Sequence, residues 1–74
     1  MPTQLAYNGY MKSWTPERIK RMREENRLSQ RAFGDLLGVT RNYIYYLERG
    51  EKTPSKTLSL LLSYVEADLK RKGE

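Results

Sequence analysis

Residues 29–50, SQRAFGDLLGVTRNYIYYLERG, admit few folds because of how they are punctuated. Ser29 and Thr40 each stand where a helix would begin, offering a side-chain oxygen to the backbone N–H groups of the first turn. Gly38 and Gly50 stand where those helices would stop, at positions that suit a positive φ. Two short helices around so tight a turn meet at a steep angle, so a small residue is needed where the backbones come closest. Gly34 fills that need on the first helix, and Ile44 gives the second helix a core-facing β-branched side chain. Val39 is the apolar residue of the turn itself.

This layout is that of a helix-turn-helix, whose second helix is shaped to lie in a DNA major groove. Its faces can be assigned by angle, at about 100° per residue with Ile44 set at zero. Leu47 falls near −60° and Glu48 near +40°, both on the inner side. Asn42, Tyr46 and Arg49 cluster within roughly 40° of the opposite pole, with Tyr45 on the flank and Arg41 in the first turn. An outer face of this kind carries guanidinium donors for guanine, an amide for adenine and ring surface for the thymine methyl. An ordinary solvated face would favour Glu, Lys and Ala over Asn and Tyr. The inward Glu48 requires a partner, because an unpaired carboxylate near the core is costly. Arg23, one turn beyond Ile19 on the preceding helix, is the expected one; the alternative is that both are hydrated surface charges.

The flanks extend the same all-helical pattern. Thr15 caps a first helix, Pro16 fits its first turn and Glu17 suits the positive end of its dipole. That helix runs to about Asn26, with Ile19 and Met22 facing inward. The second helix spans 29–37, the reading helix 40–49 and the last helix 54–72, opened by Pro54. Leu58, Leu61, Leu62, Val65 and Leu69 give the last helix one apolar stripe at helical spacing. Residues 1–13 show neither helical nor strand periodicity and are expected to form a flexible arm before a domain at 14–72. Tyr7, Tyr10 and Trp14 would either fold back over the core or order against a partner. The predicted fold class is all-α, a compact bundle of four helices, or five if the last one breaks, around a central helix-turn-helix.

Seventy-four residues limit the core, and with it any deep catalytic cavity. Lys and Arg number 14 against 9 Asp and Glu, a net charge of +5 that favours a polyanionic partner. There is no cysteine and no histidine, so neither disulfides nor a zinc site is expected, and the setting fits a cytoplasm. No secretory pattern or membrane span is read, no carboxylate pair sits in an apolar setting for enzyme chemistry, and no cofactor is implied. RNA binding is disfavoured because the tyrosines lie on a helix, not on a stacking platform of strands.

From Ile19 to Ser55, IKRMREENRLSQRAFGDLLGVTRNYIYYLERGEKTPS, half the chain resembles the phage-repressor (Cro/cI, or XRE-like) helix-turn-helix domains. The elements L-S-Q, G-V-T-R, I-x-x-L-E-R-G and the trailing P-S stand in register. The resemblance implies a lambda-repressor-like bundle and a transcription regulator that binds double-stranded DNA, usually as a homodimer on a near-palindromic site. It implies that Gln30 meets a phosphate and braces the reading helix; Ser29, beside it at the cap, is expected to be a further phosphate contact. It places Thr40, Arg41, Asn42 and Tyr46 against bases or adjacent phosphates, and Lys52 and Thr53 against the DNA backbone; on the same outer face Arg49 is expected to hold phosphate and Tyr45 to meet a base. It makes Arg23–Glu48 an internal salt bridge, in agreement with the angles.

Three departures stand out. Tyr43, Tyr45 and Tyr46 occupy positions where many members carry Gln or Ser. Gly34 replaces the usual Ala at about 1 kcal/mol of helix propensity, which would loosen the second helix. The last helix shows no break, whereas five-helix members have one. The W-T-P-E-R-I start and the TLSLLLSYVE ending look like the small regulators and antitoxins of toxin–antitoxin operons, so the function is expected to be that of a repressor or, alternatively, of an antitoxin binding a toxin protein. Leu60 and Tyr64 lie roughly 200–240° round from Leu58 and form either a homodimer patch or scattered exposed apolar surface. Lys70, Arg71 and Lys72 are read as charges complementing the helix dipole.

Overall fold

The computed structural model describes residues 14–72, and the expected arm at 1–13 lies outside them. Among the described residues there are four α-helices and no strand: α1 Pro16–Glu25, α2 Gln30–Leu37, α3 Arg41–Arg49 and α4 Lys56–Lys72. The all-α bundle is therefore the fold. Side-chain oxygens cap three helices as their sequence suggests: Thr15 accepts from the Arg18 N–H, Ser29 from Ala32 and Thr40 from Tyr43. The last helix starts later than Pro54, because Ser55 is its cap, with Oγ accepting from the Leu58 N–H at 3.1 Å. It then runs unbroken to Lys72.

Each of the first three helices ends on one left-handed residue. At Gly38 (φ +78°) and Gly50 (φ +79°) this costs nothing sterically, whereas Arg27 (φ +57°) reaches the same region as an L-residue with a Cβ. The Leu28 N–H donates to the Arg23 carbonyl at 3.1 Å and closes that third turn, so Leu28 packs against the core.

The core draws on every helix. Ile19, Phe33, Ile44, Leu47 and Leu62 are fully buried, with Trp14, Met22, Leu37 and Leu58 nearly so. Each large aliphatic or aromatic side chain so buried contributes about 1.5–3 kcal/mol relative to exposure. Trp14 is a core residue, and its indole Nε1 donates to Ser63 Oγ on α4 at 3.2 Å. The Arg18 guanidinium lies 3.6 Å from the centre of the Trp14 ring and also donates to Glu66 Oε1 at 3.3 Å. These contacts tie the start of α1 to the middle of α4.

One expectation is corrected here. Leu61 does not belong to the buried stripe of α4; it is 37% exposed, while Leu58 and Leu62 are buried and Val65 packs on the core. Leu61 sits about 60° off the centre of that face, and the stripe is narrower than the sequence spacing allows. Gly34 has a steric role of its own. A Cβ at Gly34 would stand 2.7 Å from the Val39 carbonyl oxygen and 3.2 Å from Thr40 backbone atoms, so the missing side chain is what lets the turn fold back.

Candidate nucleic-acid interface

The inner face of α3 is held by one ion pair. Arg23 Nε donates to Glu48 Oε2 at 2.6 Å and Nη2 donates to Oε1 at 3.0 Å, a two-pronged contact between α1 and α3. The third nitrogen, Nη1, donates to the Leu28 carbonyl at 2.9 Å. Gln30 Nε2 adds a further hydrogen bond to Glu48 Oε1 at 3.1 Å, so α1, α2 and α3 converge on a single carboxylate. Both charged side chains are mostly out of water, with 13% of Arg23 and 5% of Glu48 exposed. The hydrogen bond to Glu48 holds the Arg23 guanidinium above its ordinary pKa, against the opposing effect of burial. With its partners fixed in this way, α3 cannot rotate about its axis without breaking a charged hydrogen bond.

That fixed rotation decides what α3 shows to solvent. Ile44 and Leu47 are buried, Tyr43 is half-buried against the core, and Thr40, Arg41, Asn42, Tyr45, Tyr46 and Arg49 are exposed. The Tyr45 and Tyr46 rings meet edge to face with centroids 5.7 Å apart. Arg49 lies 5.5 Å from the Tyr45 ring centre and Lys52 lies 6.0 Å from that of Tyr46, so each ring has a cation beside it. The α3–α4 loop is held down by the Glu51 and Lys52 N–H groups, which both donate to the Tyr46 carbonyl, at 2.9 and 3.3 Å. Lys52 and the exposed Thr53 are thereby set just past the end of α3.

The cations of this surface differ. Arg49 Nε donates to Glu51 Oε2 at 2.9 Å in an exposed pair, and that hydrogen bond raises its pKa. Among the described residues, Arg41 and Lys52 form no ion pair with a carboxylate. Arg41 Nη1 instead donates to Asn42 Oδ1 at 3.1 Å. Ser29 and Thr40 use their oxygens as cap acceptors, which leaves each hydroxyl hydrogen available to a phosphate. Gln30 uses one amide hydrogen on Glu48 and keeps another. Leu60 and Tyr64, 39% and 75% exposed, lie on α4 outside this set. The Arg41–Asn42 hydrogen bond and the cations beside the tyrosines are not legible in the sequence, because exposed rotamers leave no periodic trace. Among the described residues, no helix is long and apolar enough to cross a membrane, and no group of carboxylates is arranged to hold a metal.

A short α2, a tight glycine turn and an exposed polar α3 locked from behind define a helix-turn-helix protein. Residues 19–63 match the helix-turn-helix family model, more than half of the chain, and the chain belongs to that Cro/cI-type, XRE-like family of DNA-binding transcription regulators. No curated protein and no solved structure matches it significantly.

Proposed function

We propose that the protein is a sequence-specific repressor that lays α3 in the major groove of double-stranded DNA. The observation that carries this reading is the Arg23–Glu48–Gln30 cluster, which fixes the rotation of α3 and keeps its polar face outward. On that face Arg41, Asn42, Tyr45 and Tyr46 read base edges. Ser29, Gln30, Thr40, Arg49, Lys52 and Thr53 hold phosphates on either side, and they set register without reading sequence. Two copies, joined through Leu60 and Tyr64 on α4, would present two reading helices to the half-sites of a near-palindromic operator in the cytoplasm.

A gel shift on the DNA upstream of the protein's own gene, against a scrambled duplex, tests the reading at about 50 and 200 mM salt. The expected result is a shift confined to the upstream duplex at the higher salt. Lys52→Ala then weakens binding to every sequence, while Asn42→Ala relaxes preference at one base pair. Equal, salt-labile binding to both duplexes sinks sequence reading by this chain alone. The second reading, an antitoxin that represses its own operon, rests on the same exposed α4 surface. It predicts a second small protein co-purifying with this one, and Tyr64→Arg releasing it.

A further inference from the structure

Arg27 and Arg31 flank Ser29 and Gln30 in the chain, and each stands where local chemistry disfavours it. Among the described residues, Arg27 alone has a positive φ without being glycine, at +57°. That region costs any residue with a Cβ and is open to glycine. Arg31 lies in the first turn of α2, where the positive end of the helix dipole disfavours a cation. α1, by contrast, carries Glu17 in its first turn. Both arginines are exposed. Among the described residues, neither guanidinium takes part in an ion pair, a side-chain hydrogen bond or a ring contact. Asp35 follows Arg31 by one turn, in the less favourable order for a helical pair, and no pair forms.

The turn that carries Arg27 is fixed relative to α3. The carbonyl of the next residue, Leu28, accepts from Arg23 Nη1 at 2.9 Å, and the same guanidinium holds Glu48. Arg27 is thus joined to the cluster that aims α3, two residues before the Ser29 cap. We infer that Arg27 and Arg31 are two further phosphate contacts, which extend the backbone track of Ser29 and Gln30. A phosphate supplies the anion that both side chains lack within the chain, and a guanidinium can meet its oxygens two at a time. The inference rests on the reading of α3 as the major-groove helix and adds two residues to the contacts that set its register. The competing account of Arg27 is a structural one, in which its charge complements the C-terminal end of the α1 dipole.

The test is binding to the upstream duplex from about 50 to 200 mM salt, with thermal unfolding of the same proteins. Each lost phosphate contact lowers the slope of log K against log salt by about 0.9. Arg27→Gly and Arg31→Gln are each expected to show that fall, and the double variant about twice it. Arg27→Gln, which keeps the Cβ, is expected to match Arg27→Gly in slope. Lys70→Gln removes an equal charge near the far end of α4 and is expected to keep the wild-type slope. Arg27→Gly is also expected to melt no lower than the wild type, because glycine relieves the positive φ. An unchanged slope in the Arg27 or Arg31 variants overturns the inference for that residue, and an equal fall in Lys70→Gln overturns it for both. An Arg27→Gly protein that melts lower and binds with the wild-type slope assigns Arg27 to the α1 dipole instead. A wild type with no salt-dependent binding fails at the earlier step and removes the reading of α3 together with this one.

Discussion

The Val39 carbonyl oxygen occupies the space that a Cβ on Gly34 would need, 2.7 Å from where that atom would stand. The contact is to backbone, so no side chain can move aside to relieve it. It also lies where α2 and the turn into α3 approach most closely, and it couples the identity of one residue to the crossing of the two helices. Gly34→Ala therefore sets two effects against each other. Alanine gains about 1 kcal/mol of helix propensity over glycine. Overpacking a rigid site costs about 1–3 kcal/mol, and the backbone partner puts this case toward the upper end. Thermal unfolding followed by circular dichroism should show a net fall in Tm, at about 4–8 °C per kcal/mol for a domain of this size. A variant that melts above the wild type would mean that the turn relaxes freely.

The Arg23–Glu48 pair supports a second prediction. Removing one partner strands a largely buried charge, so Arg23→Ala should cost about 3–5 kcal/mol. Glu48→Gln keeps the shape and one acceptor and should cost less. The paired replacement Arg23→Met with Glu48→Leu should recover much of the loss, since burying two charges is itself expensive. Urea unfolding of all three variants checks the order. If Arg23→Ala is as stable as the paired variant, the ion pair does not hold α3 in place.

These two sites mark how far the sequence can be read. Helix existence, the caps at Thr15, Ser29 and Thr40 and the inward angle of Glu48 follow from local chemistry and helical geometry, and the structure has them. Helical spacing could not tell that Leu61 lies just outside the buried stripe, since that depends on how closely α4 approaches its neighbours. Helix propensity does not register the steric role of Gly34, because the atom that a Cβ there would meet is a backbone atom in another segment. Trp14 could be identified as an aromatic near a helix start, but its hydrogen bond to Ser63 joins residues far apart in sequence. The outer face of α3 was legible as a set of side chains, and their mutual contacts were not.

A third prediction concerns the end of α4. The Arg71 hydrogen bond to Asp68 at 2.7 Å, helped by Lys72 at 3.4 Å, holds the Asp68 carboxyl below its ordinary pKa. A carboxylate depressed in the folded state stabilises that state above the ordinary carboxylate range, and the contribution is lost as pH falls through the depressed value. The group is exposed, so the effect on global stability is slight and local titration is the better probe. Carboxyl carbon shifts followed by NMR should place the Asp68 midpoint lower in the wild type than in Arg71→Ala. Coincident midpoints would show that the contact does not persist in solution.

The last prediction separates the two roles available to α4. Tyr64 is 75% exposed, and Leu60 and Leu61 flank it at 39% and 37%, whereas Leu58 and Leu62 on the same helix are buried. Tyr64 thus contributes little to the core of one copy, and at concentrations below dimerisation Tyr64→Arg should leave the unfolding free energy within about 0.5 kcal/mol of the wild type. A charge at that position would nonetheless be costly inside an apolar contact between two copies. Sedimentation equilibrium across a concentration series should show a wild-type dimer that Tyr64→Arg converts to monomer. DNA binding should then lose its dependence on half-site spacing, because each reading helix would find its half-site alone. A variant that remains dimeric and keeps the spacing dependence would place the two-fold contact elsewhere. A wild type that is monomeric at every concentration, yet loses a co-purifying protein on substitution, would assign the surface to that second protein.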